Sequence, residues 1–352
     1  MILDETKILK VKPDLSGEGD IEKIAFAAEI IKKGGLVAFP TETVYGLGAN
    51  ALDEKAVASI FTAKGRAQDN PLIVHVSDSR DINKYAFADG NKKADILRSQ
   101  MPAPLTVILP KREIIPLIVT AGLENVAMRV PKNIVARKLI ELSGLPISAP
   151  SANLSGKPSP TKAWHVIADM YSRADVIIDG GDCDVGLEST VITLCEDTPK
   201  LLRPGGFTYE KLCELIGKVN ISDAVLEQLK EGQKPESPGM KYKHYAPDVG
   251  VILIKGSREK IHSFLSEKYK SENCGIICFT EDAPEESARI ICVGSRKNED
   301  EYAVKMFDAL RSTDEIEGID IVYAVLPETT DGISLAIYNR MLRAAGFNVI
   351  QL

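Results

Sequence analysis

The chain has 352 residues, of which 44% are hydrophobic and 26% charged, and its formal net charge is −7. That length and apolar content are enough to bury a substantial core and usually form two domains. No apolar run approaches the roughly 18 residues of a membrane span, and the N-terminal segment lacks the apolar region of a secretory signal. The six cysteines form no CxxC pair, so we expect a reduced, cytosolic protein without membrane contact.

The first informative segment follows a predicted buried strand at residues 35–39, GLVAF, which Pro40 ends because proline cannot donate to a sheet ladder. Hydrogen-bonding side chains then come in close succession, at Thr41, Glu42, Thr43 and Tyr45. Gly46 and Gly48 are expected to let the backbone turn or approach a ligand closely. A threonine-rich turn with satisfied hydroxyls would look similar, so this segment alone does not decide for a site.

The second segment begins with an amphipathic helix that starts at Asp53 and ends at the sequence Lys64, Gly65, Arg66. Asn70 then leads into the predicted strand LIVHV, which carries His75. Cations at a helix C-terminus can be present only because they interact favourably with the negative end of the helix dipole. That reading accounts for the charges but not for Asn70 or His75, so a site is favoured.

The third segment, Ala149 to Thr161, is rich in serine, glycine and proline and includes Ser151 and Ser159. Serine hydroxyls and free backbone amides in such a loop can cradle phosphate or carboxylate oxygens. A flexible linker is the alternative, although its prolines favour one defined path.

Elsewhere in the first half of the chain, single polar or cationic residues stand at the ends of predicted strands. Arg129 lies on the strand VAMRV, Glu188 to Thr190 precede another strand, and Arg203 comes before a Pro-Gly turn. An α/β fold gathers a site from such distant positions.

The second half predicts a small parallel sheet. Between residues 217 and 247 the chain is Lys/Glu-rich and contains three prolines, and from residue 248 onward strands alternate with helices near 258–269, 300–311 and 333–345. We therefore predict a catalytic domain over 1–216, a linker over 217–247 and an α/β domain over 248–352. The last segment carries 12 Lys/Arg against 18 Asp/Glu, which makes it a poor binder of phosphate or nucleic acid.

The motifs taken together resemble the threonylcarbamoyl-AMP synthases of the two-domain kind, with a YrdC-type catalytic domain. PTETVYGL, KGR with NPLIVH, SAPSANLSG, GLESTV and LRPG stand in that family's order, and SPGMKYKHYAP resembles its interdomain segment. The resemblance implies an α/β fold: a YrdC-like twisted mixed sheet with a concave cleft, followed by a smaller Rossmann-like parallel domain. It also implies a nucleotidyltransferase that makes threonylcarbamoyl-AMP and pyrophosphate from ATP, L-threonine and bicarbonate.

The resemblance also assigns roles to single residues. Threonine-contacting positions are Thr43, His75, Arg129 and Ser189. Nucleotide-contacting positions are Arg66, Asn70, Asn125, Ala149, Ser151, Ser159, Arg203 and Tyr245. Lys64 and Arg66 are expected to stabilise the transferring phosphoryl group, and the linker with Tyr245 to cover the active site.

Magnesium is expected to accompany ATP, held largely by phosphates and water, because no His/Cys/Asp cluster in the sequence suggests a protein metal site. The product would pass to the machinery that transfers threonylcarbamoyl to the adenosine beside the tRNA anticodon, and weak tRNA binding is a further expectation. The alternative is an RNA-binding module of the YrdC type without synthase activity, for which the chain has few Lys/Arg and exposed aromatic residues. Carbamoyl transfer from carbamoyl phosphate would need zinc-binding and acylphosphatase regions that the sequence lacks.

Overall fold

The structure is a computed structural model that describes residues 1–227 and 245–352. Its helices are α1 (Asp20–Lys32), α2 (Glu54–Lys64), α3 (Lys92–Ser99), α4 (Leu117–Thr120), α5 (Ile134–Ser143), α6 (Ala163–Met170), α7 (Tyr209–Ile216), α8 (Arg258–Ser271), α9 (Glu299–Ser312) and α10 (Ser334–Ala344). Its strands are β1 (Lys7–Lys10), β2 (Val37–Phe39), β3 (Gly46–Asn50), β4 (Ile73–His75), β5 (Leu105–Pro110), β6 (Asn125–Arg129), β7 (Ile147–Ser148), β8 (Val176–Asp179), β9 (Thr190–Thr193), β10 (Lys200–Arg203), β11 (Asn220–Ile221), β12 (Gly250–Lys255), β13 (Cys274–Cys278), β14 (Ile290–Cys292), β15 (Ile321–Val325) and β16 (Val349–Gln351).

The described residues fall into two compact units. The first comprises residues 1–155, 159–184 and 188–227, and the second comprises 156–158, 185–187 and 245–352. Most of the linker predicted over 217–247 lies outside the described residues, so that boundary stays a prediction.

The first unit is built on one mixed sheet. Within the described part of the chain its strand order is β1-β8-β2-β3-β7-β4-β6-β5-β9-β10-β11. β4 pairs with β6 in parallel, whereas β5 pairs with β6 and β7 with β4 in antiparallel fashion. Because β4, β5, β6 and β9 are neighbours, residues far apart in sequence meet at the same level of the sheet.

Helices α1 and α5 pack against this sheet and form a large hydrophobic core with it. Their buried apolar residues, such as Ile24 and Leu139, pack with Val37, Phe39 and Val176 of the strands. Helix ends follow the local chemistry: Asp53 caps α2 by accepting from two backbone amides, and Gly65 ends it in the left-handed conformation. The helix predicted between Asp53 and Lys64 is thus confirmed.

The second unit holds a parallel sheet with the strand order β14-β13-β15-β12-β16. Its four described strand pairs are all parallel, and helices α8, α9 and α10 lie in the connections between strands. Together with the mixed sheet of the first unit, this confirms the predicted architecture.

The turn expected at Gly46 and Gly48 is wrong, whereas a close approach to a ligand there stays a prediction. The segment Gly46 to Asn50 is strand β3, paired with β2 and β7, and neither Gly46 nor Gly48 adopts a positive φ. A Cβ on Gly48 would lie 2.7 Å from the Phe39 ring and 2.7 Å from Ile147 Cγ2. Gly48 therefore serves close packing between strand and core rather than a turn. Among the described helices, none has the length and apolar character needed to cross a membrane.

Candidate active site

A row of side chains crosses five neighbouring strands at one level of the first unit's sheet. Register pairs His75 with Arg129, Arg129 with Thr106, Thr106 with Val191, and Val191 with Arg203. Residues paired in register point to the same face of a sheet. The fold therefore brings the predicted residues His75 and Arg129 onto one surface with Thr106. Arg203 pairs with Val191 at a register shift in β10, and it joins this surface through its bond to Ser189.

Arg129 is the buried cation at the centre of this row. Its Nη2 donates to Glu42 Oε1 at 2.6 Å and to Thr43 Oγ1 at 2.8 Å. Thr43 Oγ1 in turn lies 2.8 Å from Thr41 Oγ1. The side chains of Arg129 and Glu42 are only 5% and 3% exposed, so the ion pair is desolvated and geometrically constrained. The loop after β2 is thereby joined to the end of β6.

Ser189 is joined to the row by a second set of contacts. Its hydroxyl lies 2.8 Å from Thr106 Oγ1, and Arg203 Nη2 donates to it at 3.2 Å. Arg203 Nε also donates to the Ser189 carbonyl at 3.1 Å. Gly205, in the turn that follows Arg203, has no room for a side chain, since its Cβ would lie 2.4 Å from the Glu188 carbonyl oxygen. The Pro-Gly-Gly turn thus lets Arg203 and Ser189 approach each other.

His75 is a neutral group in this site. Its ring meets the Phe39 ring edge-on at 6.4 Å, and Nδ1 lies 3.2 Å from the Ile73 carbonyl oxygen. Burial, reinforced by the nearby Arg129 guanidinium, lowers the pKa of His75 to about 3. At neutral pH His75 can therefore contribute hydrogen bonds but no charge, and the positive charge of the row comes from its arginines.

Lys64 ties helix α2 to the serine-rich loop. Its buried ammonium donates to the backbone carbonyl of Ser151 at 2.5 Å and to that of Asn153. The Lys64 carbonyl accepts from the Ser155 amide at 2.9 Å, and Ser151 Oγ donates to Asn153 Oδ1 at 2.5 Å. The predicted residues Lys64 and Ser151 are in contact, and the lysine shapes the loop that carries the serine.

Further nucleotide-contacting candidates lie along the same loops. Arg66 Nη2 approaches the Asn70 carbonyl oxygen at 3.4 Å, and Ser159 Oγ donates to Glu188 Oε1 at 2.6 Å. Asn70 is 2% exposed, and its Oδ1 has no hydrogen-bond partner within residues 1–227 and 245–352. A buried carbonyl oxygen of this kind is a candidate acceptor for a ligand N–H.

The remaining predicted positions lie at the edges of this arrangement or outside it. The Ala149 amide donates to the Ile73 carbonyl oxygen at 3.0 Å, one strand away from His75. Asn125 lines a cavity of about 290 Å³ together with Pro71, which follows Asn70. Tyr245 belongs to the second unit, where it is buried with its ring 5.1 Å from the Phe307 ring.

Two residues of the site received no role from the sequence. Glu42 is conspicuous only as one of several polar residues in its loop, and Thr106 lies within the apolar strand LTVILP. Both are at most 3% exposed and contact predicted threonine-binding residues. The polarity of Thr106 in an otherwise apolar strand was the one available signal.

Comparisons with known proteins match both halves of the chain. The family model described as Telomere recombination matches residues 29–205, and that of the threonylcarbamoyl-AMP synthase C-terminal domain matches residues 207–346. The threonylcarbamoyl-AMP synthase of Pyrococcus abyssi is 45% identical over 94% of this chain and 96% of its own. That of Bacillus subtilis is 44% identical over 94% of each chain.

A solved structure extends this similarity to the fold. The crystal structure of Pyrococcus abyssi Sua5 complexed with L-threonine superposes with a TM-score of 0.90 at 43% identity, covering 99% of this chain and 100% of that one. Fold and site therefore define a two-domain α/β enzyme of the nucleotidyltransferase type. The chain belongs to the threonylcarbamoyl-AMP synthase family.

Proposed function

We propose that this enzyme condenses L-threonine with bicarbonate and ATP, releasing pyrophosphate and threonylcarbamoyl-AMP. The observation that carries the proposal is the row on the sheet in which Arg129, hydroxyls and Arg203 lie at one level. Such a row can hold a carboxylate and a phosphate side by side.

In the proposed reaction the amine nitrogen of threonine attacks the carbon of bicarbonate, or of the carbon dioxide derived from it. A carbamate forms, and water or a proton is released. A carbamate oxygen then attacks the α-phosphorus of ATP, and the bond to the pyrophosphate leaving group breaks in line. Both steps depend mainly on positioning and on stabilising negative charge. A site with a neutral histidine and several cations meets that demand.

We assign Thr43, His75, Arg129 and Ser189 to threonine. Two features support the assignment: Arg129 contacts Thr43, and Ser189 is joined to the same row through Thr106. We assign the following residues to ATP: Arg66, Asn70, Asn125, Ala149, Ser151, Ser159, Arg203 and Tyr245. Arg66 and Lys64 would stabilise the transferring phosphoryl group, and the linker would cover the site.

Magnesium is proposed to enter with ATP. Among residues 1–227 and 245–352 no group of three His/Cys/Asp/Glu could share a metal ion, yet Mg²⁺ commonly relies on phosphates and water with one or two carboxylates. The ion would neutralise phosphate charge.

The decisive measurement is pyrophosphate release from Mg·ATP with L-threonine and bicarbonate omitted in turn. We expect release to require both substrates, and Arg66→Ala to reduce it by about 10²-fold. Lys55→Ala, at an exposed position of helix α2, is the matched control and should retain full activity. Release without threonine would contradict the proposal.

We further propose that the product passes to the tRNA threonylcarbamoyl transferase machinery in the cytoplasm, and that the enzyme binds tRNA weakly. The acidity of residues 248–352 favours the first unit as the surface for a tRNA contact. A salt titration of tRNA binding would test this, since phosphate contacts by Lys and Arg give affinity that falls steeply with salt. Affinity that does not respond to salt would contradict such a contact.

A further inference from the structure

Glu42 is held rigidly at both carboxylate oxygens. Oε1 accepts from Arg129 Nη2 at 2.6 Å, and Oε2 accepts from the backbone amide of Lys132 at 2.9 Å. The Glu42 side chain is 3% exposed. Because the donor to Oε2 is the backbone amide of Lys132, the fold fixes the orientation of the Glu42 carboxylate.

Among the described residues, the Arg129 guanidinium is anchored through a single nitrogen. Nη2 donates to Glu42 and to Thr43, whereas Nε is buried and has no hydrogen-bond partner in the described part of the chain. A guanidinium is planar with its donors in fixed directions, so anchoring Nη2 also aims the Nε–H. A buried donor without a partner is costly, and a ligand that accepts from it recovers that cost.

We propose that Glu42 is a positioning residue for the amino-acid substrate: it holds the Arg129 guanidinium so that its Nε edge receives the substrate carboxylate. This inference rests on the proposed assignment of Arg129 to L-threonine. Glu42 itself does not touch the substrate in this arrangement. Its negative charge is matched by Arg129, and Arg203 on the same row adds a positive charge.

A counter-ion role and a positioning role for Glu42 predict opposite effects of its removal on threonine binding. If the carboxylate only neutralised Arg129 in the empty site, it would compete with the substrate carboxylate, and its removal would strengthen threonine binding. Positioning predicts weaker binding, because a freed guanidinium loses its direction. The sign of the change in the threonine KM separates the two roles.

The test is steady-state pyrophosphate release with Glu42→Ala and Glu42→Gln, varying threonine and ATP separately. We expect Glu42→Ala to raise the threonine KM by about 10- to 100-fold, with the ATP KM changed less than about 3-fold. Glu42→Gln keeps an oxygen acceptor for Arg129 and should stay within about 10-fold of the wild-type threonine KM. Glu141→Ala, which breaks the exposed Lys138–Glu141 pair, is the matched control and should leave both KM values unchanged.

A double-mutant cycle shows whether Glu42 acts through Arg129. In an Arg129→Ala background the further change Glu42→Ala should leave the threonine KM unaltered, because no guanidinium remains to be aimed. A threonine KM that is unchanged or lowered in Glu42→Ala, or an additive double mutant, would overturn the proposal. Equal rises in both KM values would indicate general damage to the fold and would also overturn it.

Calorimetric titration of L-threonine separates this inference from the function on which it rests. If the wild-type enzyme binds threonine and Glu42→Ala binds it equally well, only the positioning role fails. If the wild type itself binds no threonine, the assignment of Arg129 and the positioning role fail together. We expect binding by the wild type, weaker binding by Glu42→Ala, and partial recovery by Glu42→Gln.

Discussion

The change Lys64→Met tests whether this lysine organises the serine-rich loop. In the structure the ammonium donates to the carbonyls of Ser151 and Asn153, and it is 3% exposed. Methionine has a similar length and fills the same space, but it cannot donate. The substitution would therefore leave two carbonyl oxygens of the loop without their donor.

The expected loss can be worked from these two contacts. A hydrogen bond to a charged group contributes roughly 1.5–3 kcal/mol, so two could contribute up to about 6 kcal/mol. The carbonyls can partly rehydrate in an open loop, and methionine recovers some packing, so we take about 3 kcal/mol as the loss. For a domain of this size, 1 kcal/mol lowers Tm by roughly 2–4 °C, which gives a decrease of about 6–12 °C.

Fluorescence of the single tryptophan, Trp164, provides the assay. Trp164 lies in helix α6 of the first unit, so its thermal transition reports that unit and avoids treating a two-domain protein as two-state. Lys55→Met, at an exposed position of the same helix as Lys64, is the matched control and should shift Tm by less than about 1 °C. An unchanged Tm for Lys64→Met together with a large loss of kcat would refute the structural role and leave Lys64 as a phosphate ligand only.

Three further predictions concern the sheet that carries the site. The pKa of His75 is lowered to about 3 in the folded protein. As the pH drops below about 6.5, His75 therefore takes up a proton in the unfolded chain but not in the folded protein. The free energy of unfolding should then decrease by up to about 1.4 kcal/mol per pH unit. Urea unfolding should show that the free energy of unfolding decreases less between pH 7 and pH 5 in His75→Gln than in the wild type. Equal decreases in the two proteins would contradict a buried, neutral His75. Gly48→Ala should destabilise the first unit by about 1–3 kcal/mol, since its Cβ would lie 2.7 Å from Phe39. Lys55→Ala, at an exposed position of the same unit, is the control in the same thermal assay. Thr106→Val should raise the threonine KM by about 5-fold, because it removes the hydroxyl that contacts Ser189 and costs about 1 kcal/mol of binding free energy. An unchanged threonine KM would show that Arg203 alone suffices to orient Ser189.

Local sequence was sufficient to predict the secondary-structure elements and the residue types of the site. The strand before Pro40, the helix between Asp53 and Gly65, and the strand–helix alternation after residue 248 were all predictable, because hydrophobic period, capping residues and proline act within a few positions. The motif order likewise pointed to the family and to most candidate site residues.

The contacts between these residues could not be predicted and depend on the fold. Thr106 and Ser189 are 83 residues apart, and Glu42 and Arg129 are 87 apart; their contacts depend on strand order and register, which no local pattern encodes. For the same reason the packing role of Gly48 and the bonds from Lys64 to loop carbonyls were not predictable. The residue type limits which contacts a glycine or a lysine can make, but the neighbours that the fold brings to it determine which contacts it does make.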